Sequence, residues 1–147
     1  MIEVANISKK FGDRQVLSEV SMYLETGKVN MVIGQSGAGK SVFLKCLVGL
    51  LQTDLGEIHY DRRNFTEMNY QQKKELRQEI GMLFQGAALF DSLTVEQNVV
   101  FPLELFAKMS KSERLDRANF CLQRVNLINA NNLYPDEISG GMKKRVA

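Results

Sequence analysis

The sequence predicts an α/β fold built around a phosphate-binding loop, and three observations carry that prediction. Gly34–Ser41 reads GQSGAGKS and fits G-x-x-x-x-G-K-[ST]. An apolar run, Val29-Asn30-Met31-Val32-Ile33, enters this loop as a strand, and Val42 to Leu51 leaves it as an apolar helix. The first third of the chain alternates short strands and turns, with period-two patterning at Ile2–Ile7 and Val16–Leu24, whereas capping signals and an apolar helical stripe follow from Thr94 onward. Residues 1–85 therefore read as an antiparallel β part joined to the phosphate-loop part of a core, and residues 86–147 as a helical part.

Each element has a local reason. Ile2-Glu3-Val4-Ala5-Asn6-Ile7 suits a half-buried strand, and Gly12-Asp13 marks a turn. The alternation resumes from Val16 to Leu24, and Thr26-Gly27 turns the chain toward the loop. Thr53-Asp54-Leu55-Gly56 is turn chemistry ahead of a short strand, Glu57-Ile58-His59-Tyr60. Asn69 to Gln78 reads as a polar surface helix, and Gly81-Met82-Leu83-Phe84 as an apolar strand that stops at Gln85. Thr94 and Gln97 have capping-box spacing, and that helix is expected to end before Pro102. Ser112 is expected to cap a longer helix whose apolar stripe is Leu115, Ala118, Phe120, Leu122 and Val125. Asn129 to Pro135 reads as a loop, and Gly140-Gly141 opens a last basic segment.

The bulk numbers set limits. The chain has 147 residues, enough for one domain with a real core. Hydrophobic residues make up 44% and charged residues 24%, the balance of an ordinary globular protein. A net charge of +2 gives no support for a nucleic-acid surface. Cys46 and Cys121 lie far apart without C-x-x-C spacing, and both fall in expected helices, so buried free thiols in a reducing compartment are expected. No apolar run has the length of a membrane span.

The loop carries its own chemistry. Gly34, Gly37 and Gly39 remove Cβ atoms where the chain must turn tightly near an anion. The N–H groups of Gln35, Ser36, Ala38 and Val42 join those of the glycines around the phosphates, at the positive end of the following helix. Lys40 supplies a point charge for the β- and γ-phosphates, and Ser41 a hydroxyl for Mg²⁺. The loop reads as a nucleoside-triphosphate site, or as one descended from such a site, in a P-loop NTPase core.

Two further segments narrow the reading. Glu137-Ile138-Ser139-Gly140-Gly141-Met142-Lys143-Lys144-Arg145 closely resembles the L-S-G-G-Q signature of ATP-binding-cassette (ABC) ATPases, and Gln85 ends an apolar strand where that family has its Q-loop. Phe11, ahead of Gly12, stands where the family stacks adenine, and Val16 joins it in the expected ATP site. The resemblance covers the whole chain. It implies Mg²⁺ held with Ser41 and Gln85, and a homodimer in which Ser139, Gly140 and Gly141 close in trans on the γ-phosphate of a second subunit's ATP. It also implies a transmembrane permease partner, a peripheral place on the cytoplasmic face of a bacterial inner membrane, and no nucleic acid. The S-G-G-M-K-K-R-V-A wording and Gly86–Leu103 resemble the ATPases of Mce/Mla-type phospholipid transport. Leu89, Phe90 and Leu93 then either face the permease or pack within the helical part.

In the family, hydrolysis uses an apolar strand ending in Asp-Glu and a later switch histidine. His59 lies upstream of Gln85 and reads as an ordinary strand residue. Asp136-Glu137 follows Pro135, which a central strand would not tolerate, and Asp91 ends a run too rich in Gly and Ala for a strand. We therefore expect a C-terminally truncated ATPase that binds Mg-ATP without efficient hydrolysis. Its parallel sheet is expected to rearrange, or a second copy to fill the gap. A small-molecule phosphotransferase is the alternative, with Arg114, Arg117 and Arg124 as conceivable lid residues. A non-catalytic module that uses nucleotide only as a dimerisation signal is a third.

Overall fold

The computed structural model describes residues 1–147. The chain divides into two units, Met1–Gly81 and Met82–Ala147. The first holds β1 (Ile2–Phe11), β2 (Arg14–Leu24), α1 (Lys40–Leu47), β3 (Leu55–Tyr60), β4 (Arg63–Asn64) and α2 (Tyr70–Gln78). The second holds α3 (Val95–Phe106), α4 (Lys111–Arg124), a 3₁₀ turn (Pro135–Glu137) and α5 (Gly140–Val146).

The sheet of the first unit is antiparallel throughout, in the order β2-β1-β3-β4. Strict alternation along β1 is interrupted, first and against both neighbours at Asn6. Asn6 takes a positive φ of 50°, and the register slips around it against both neighbours. The extra residue of this bulge resets the pleat, so that Val4 and Ile7, three apart, both reach the core. Gly56 in β3 fits against the bulge at a φ of 82°. Beneath the sheet, Phe43, Cys46 and Leu47 of α1 and Leu76 of α2 close on Val4, Ile7, Leu17, Ile58, Tyr60 and Phe65. Burial pushes the Cys46 thiol up. It also pushes Tyr60 up to about 12, and the Tyr60 hydroxyl donates to the Leu47 carbonyl at 2.8 Å.

Two expected strands do not form. Val29–Ile33 and Gly81–Phe84 carry no sheet pairing, and no parallel pair exists anywhere in the chain. Val29, Met31 and Ile33 are 95%, 77% and 81% exposed, and Leu83 is 62% exposed. A strand is a pairing and not a property of a segment, and neither run has a neighbour to bond. The antiparallel sheet stands without them because its pairs are β1 with β2, β1 with β3 and β3 with β4.

Helix ends also move. α1 stops at Leu47 rather than Leu51, because Gly49 adopts a φ of 69° and the N–H groups of Leu50 and Leu51 turn back to the Lys45 carbonyl. The cap of α4 is Ser110, not Ser112; its hydroxyl accepts from the Glu113 N–H while Glu113 accepts from the Ser110 N–H. Ser110 was the better cap because Glu113 lies three residues on and completes the box. α3 has the expected Thr94–Gln97 box but runs through Pro102 to Phe106. The proline removes one helical donor, yet the helix continues, with Pro102 exposed and Val95 and Val100 buried.

In the second unit, Ala118 and Leu122 of the expected stripe are buried, and Val125 packs at the edge of a core of Val95, Leu122, Leu127, Ala130 and Ile138. Phe120 does not join them; it is 51% exposed under the Arg117 guanidinium. Asn98 fastens the segment before α3. Its amide donates to the carbonyls of Phe90, Leu93 and Thr94 and accepts from the Phe90 N–H. Phe90 stacks on Phe101 at 4.8 Å yet stays half exposed, while Leu89 and Leu93 are half-buried.

Four surface carboxylates are held below their ordinary range. The causes are Lys9 for Asp54, the N-terminal amine for Asp61, Arg63 for Glu79 and the Ser110 hydrogen bonds for Glu113. A carboxyl depressed in the folded state stabilises it above the unfolded value, about pH 4. That stabilisation disappears as pH falls through the lower folded values. Urea midpoints are expected to be level from pH 7 to 5 and to drop below about pH 4. A midpoint unchanged at pH 3 would exclude these pairs as contributors.

Candidate functional site

The phosphate loop rises from the sequence as expected in its local geometry. Gly34, Gly37 and Gly39 have φ values of 156°, 83° and 90°. Gly39 is the cap of α1, so Lys40 and Ser41 are its first two helical residues. A side chain at Gly39 would place its Cβ 3.0 Å from the Val16 carbonyl oxygen and 3.1 Å from Leu17. The loop thus lies directly on β2, and Val16 borders it. At Gly37 a Cβ would meet nothing within 4 Å. There the requirement is the left-handed backbone, which the chain uses to aim its N–H groups.

Those N–H groups are free. Phe43 is the first helical donor with a backbone acceptor, the Gly39 carbonyl at 2.8 Å, and Ala38 donates to Gln35. No intramolecular acceptor meets the N–H groups of Gly37, Gly39, Lys40, Ser41 or Val42. Lys40 folds over the loop and donates to the carbonyls of Gly34 and Gln35, both at 2.7 Å. An ammonium has three protons, and two are spent on the loop. The arrangement is a concave row of donors beside a fixed cation at a helix N-terminus. A polyphosphate matches it in charge and in hydrogen-bond sense.

The donor set also fits Mg²⁺, with a condition. The Ser41 hydroxyl is exposed next to Lys40, and no cluster of three His, Cys, Asp or Glu side chains exists that could hold a metal by itself. Magnesium keeps waters and leans on phosphate oxygens, so one hydroxyl beside the loop suits it. Gln85, the other expected ligand, belongs to the second unit and lies exposed in a turn closed by Ala87 N–H to Phe84 carbonyl.

Phe11 ends β1 and is 47% exposed, with the Lys9 ammonium 5.7 Å from its ring centre. Ser139 caps α5 and accepts from the Met142 N–H at 3.2 Å. Side chains at Gly140 would meet nothing within 4 Å, and at Gly141 only the Ser139 hydroxyl at 3.9 Å. The chain's own packing does not require either glycine, so the space above them is open. His59 sits in β3 with its ring nitrogen 2.8 Å from Glu57. Asp136 and Glu137 lie in the 3₁₀ turn, where Glu137 accepts from the Tyr134 N–H. Asp91 is in a turn. Asp54, which the sequence presents as turn chemistry, also accepts from the Lys9 ammonium and the Lys10 N–H through its carboxylate, at 2.6 Å each.

A glycine-rich loop that caps α1 at Gly39 and opens it with Lys40 and Ser41 is the phosphate cradle of the P-loop class. The chain matches the ABC transporter family over residues 17–147 and belongs to it. It is 39% identical to the methionine import ATP-binding protein MetN of Rhizobium johnstonii, over 99% of this chain and 40% of that protein. It is 40% identical to the probable ribonucleotide transport ATP-binding protein mkl of Mycobacterium leprae, over 98% and 42%. The chain therefore spans about two fifths of the length of these relatives. Among solved structures, the dimeric ABC transporter cassette MJ0796 superposes with a TM-score of 0.88 at 32% identity, covering 99% of this chain and 66% of that one. The same cassette in a dimeric post-hydrolysis state bound to ADP and Pi gives 0.88 at 30% identity, with the same coverage. No helix of the structure is long and apolar enough to cross a membrane.

Proposed function

We propose that this chain is the nucleotide-gripping part of a transporter ATPase. The observation that carries the reading is the unpaired N–H row of Gly37 and Gly39–Val42 beside Lys40. These groups bind the phosphates of ATP, and Lys40 exchanges its loop carbonyls for phosphate oxygens. Ser41 would hold Mg²⁺, which would neutralise part of the phosphate charge, with Gln85 as the ligand the Q-loop resemblance adds; Phe11 and Val16 border the base. Ser139, Gly140 and Gly141 form a second anion surface that meets the γ-phosphate held by another copy. The open space above both glycines supports this role, as does the dimeric state of MJ0796.

The working context is a permease in the membrane, with this domain peripheral on its cytoplasmic side. Half-exposed Phe90 and the apolar residues around it support a contact there. Phospholipid is the cargo we favour, on the wording of Ser139–Ala147 and Gly86–Leu103. A small polar cargo is the second reading, because relatives are named for methionine and ribonucleotide. A phosphotransferase lid gains nothing from the structure. Arg117 lies over Phe120, and Arg114 faces Glu104 at 3.8 Å.

Calorimetry of the 147-residue chain with Mg-ATP tests the reading. Binding is expected, with negligible phosphate release, since the acidic residues Asp91, Asp136 and Glu137 sit in turns rather than at a strand end. Absence of binding, or robust single-turnover hydrolysis, would overturn it.

A further inference from the structure

We infer that Asp54 is a positioning residue for the base-binding aromatic Phe11. The inference rests on the proposed nucleotide site and goes beyond it. β1 outlasts its partner. Pairing with β3 ends at Ser8 opposite Leu55, so Lys9, Lys10 and Phe11 have no strand on that side. Asp54 supplies what the strand does not. Its N–H donates to the Ser8 carbonyl at 2.9 Å, and one carboxylate oxygen accepts from the Lys10 N–H at 2.6 Å. The other oxygen takes the Lys9 ammonium at 2.6 Å, and that ammonium lies 5.7 Å from the centre of the Phe11 ring. Lys9 is 15% exposed while Phe11 is 47% exposed.

A single turn residue thus holds the strand end by its backbone and fixes a cation against the ring. The end of β1 is paired only with β2; a strand end held on one side is looser than one held on both, and a base stacks well only on a ring already in place. Charge-assisted hydrogen bonds are the strong kind, and the Lys9 hydrogen bond holds the Asp54 carboxyl below its ordinary range. With Lys9 fixed against it, Phe11 offers its remaining exposed surface to the adenine.

The test compares ATP with inorganic tripolyphosphate, which has no base, on the wild-type chain and on Asp54→Ala, Asp54→Asn and Phe11→Ala. Phe11→Ala is expected to weaken ATP about tenfold, the loss of one stacked base, and to leave tripolyphosphate unchanged. Asp54→Ala is expected to weaken ATP about fivefold and leave tripolyphosphate unchanged, whereas Asp54→Asn, which still accepts from Lys10, recovers part of the loss. Asp54→Ala with wild-type ATP affinity, beside a weakened Phe11→Ala, would overturn the positioning role and leave the nucleotide site standing. Equal losses for both ligands would show general loosening and overturn it too. An unaffected Phe11→Ala, or a wild-type chain that binds neither ligand, would remove the underlying reading and the inference with it.

Discussion

Lys40→Ala is expected to raise the dissociation constant for Mg-ATP about a hundredfold or more. Its ammonium is the one cation bonded within the loop, donating to the Gly34 and Gln35 carbonyls. In the proposed bound state those protons turn to phosphate oxygens. A hydrogen bond between charged partners contributes about 1.5–3 kcal/mol, and two of them convert to at least two orders of magnitude. Alanine keeps the helix start, because it is the best helix former at that position. The thermal midpoint is therefore expected to stay within a few degrees of wild type. Titration calorimetry reads the affinity and differential scanning the stability. An unchanged dissociation constant in a folded variant would detach the loop from nucleotide binding.

Gly56→Ala is expected to produce the largest loss of stability in the first unit. The position has a φ of 82°, where an L side chain is strained. An added Cβ would stand 2.5 Å from the Ala5 carbonyl oxygen and closer still to that of Asn6. Both obstacles are backbone atoms inside the β1–β3 ladder, so no side chain can swing aside. Strain and overpacking together cost about 3 kcal/mol. For a unit of this size that lowers the midpoint by about 15 °C. Gly37→Ala makes the control. It is strained by a φ of 83° but has open space, so its cost is expected to be about 1 kcal/mol. Equal losses for the two would mean that the bulge contact carries none of the effect.

Much of the local chemistry of this chain is legible in its sequence, although the α4 cap at Ser110, the α1 stop ahead of Gly49 and the run of α3 through Pro102 differ from the expectation. Gly-Lys-Ser at the head of an apolar helix, the Thr94–Gln97 box, the turns at Gly12 and Gly27, and Ser139 capping α5 each depend on residues within a few positions. Their geometry is short-range hydrogen bonding and glycine dihedrals, which sequence spacing reports directly. The order of the motifs, Phe11, Gly34–Ser41, Gln85 and Ser139–Gly141, was likewise enough to point to the family that the comparisons then established.

Only the tertiary structure decided the rest, because pairing and packing are properties of two segments at once. Val29–Ile33 has a strand's composition and no strand, since nothing pairs with it. Ile7 faces the core only because the bulge at Asn6 reset the pleat, and Gly56 is essential only because that bulge leans on it. Val16 and Gly39 meet across 23 residues, and Asp54 reaches back 45 residues to Lys9. No spacing rule covers such distances. The sequence determined that this chain can hold a phosphate; the fold decided which distant residues hold the loop and the ring in place.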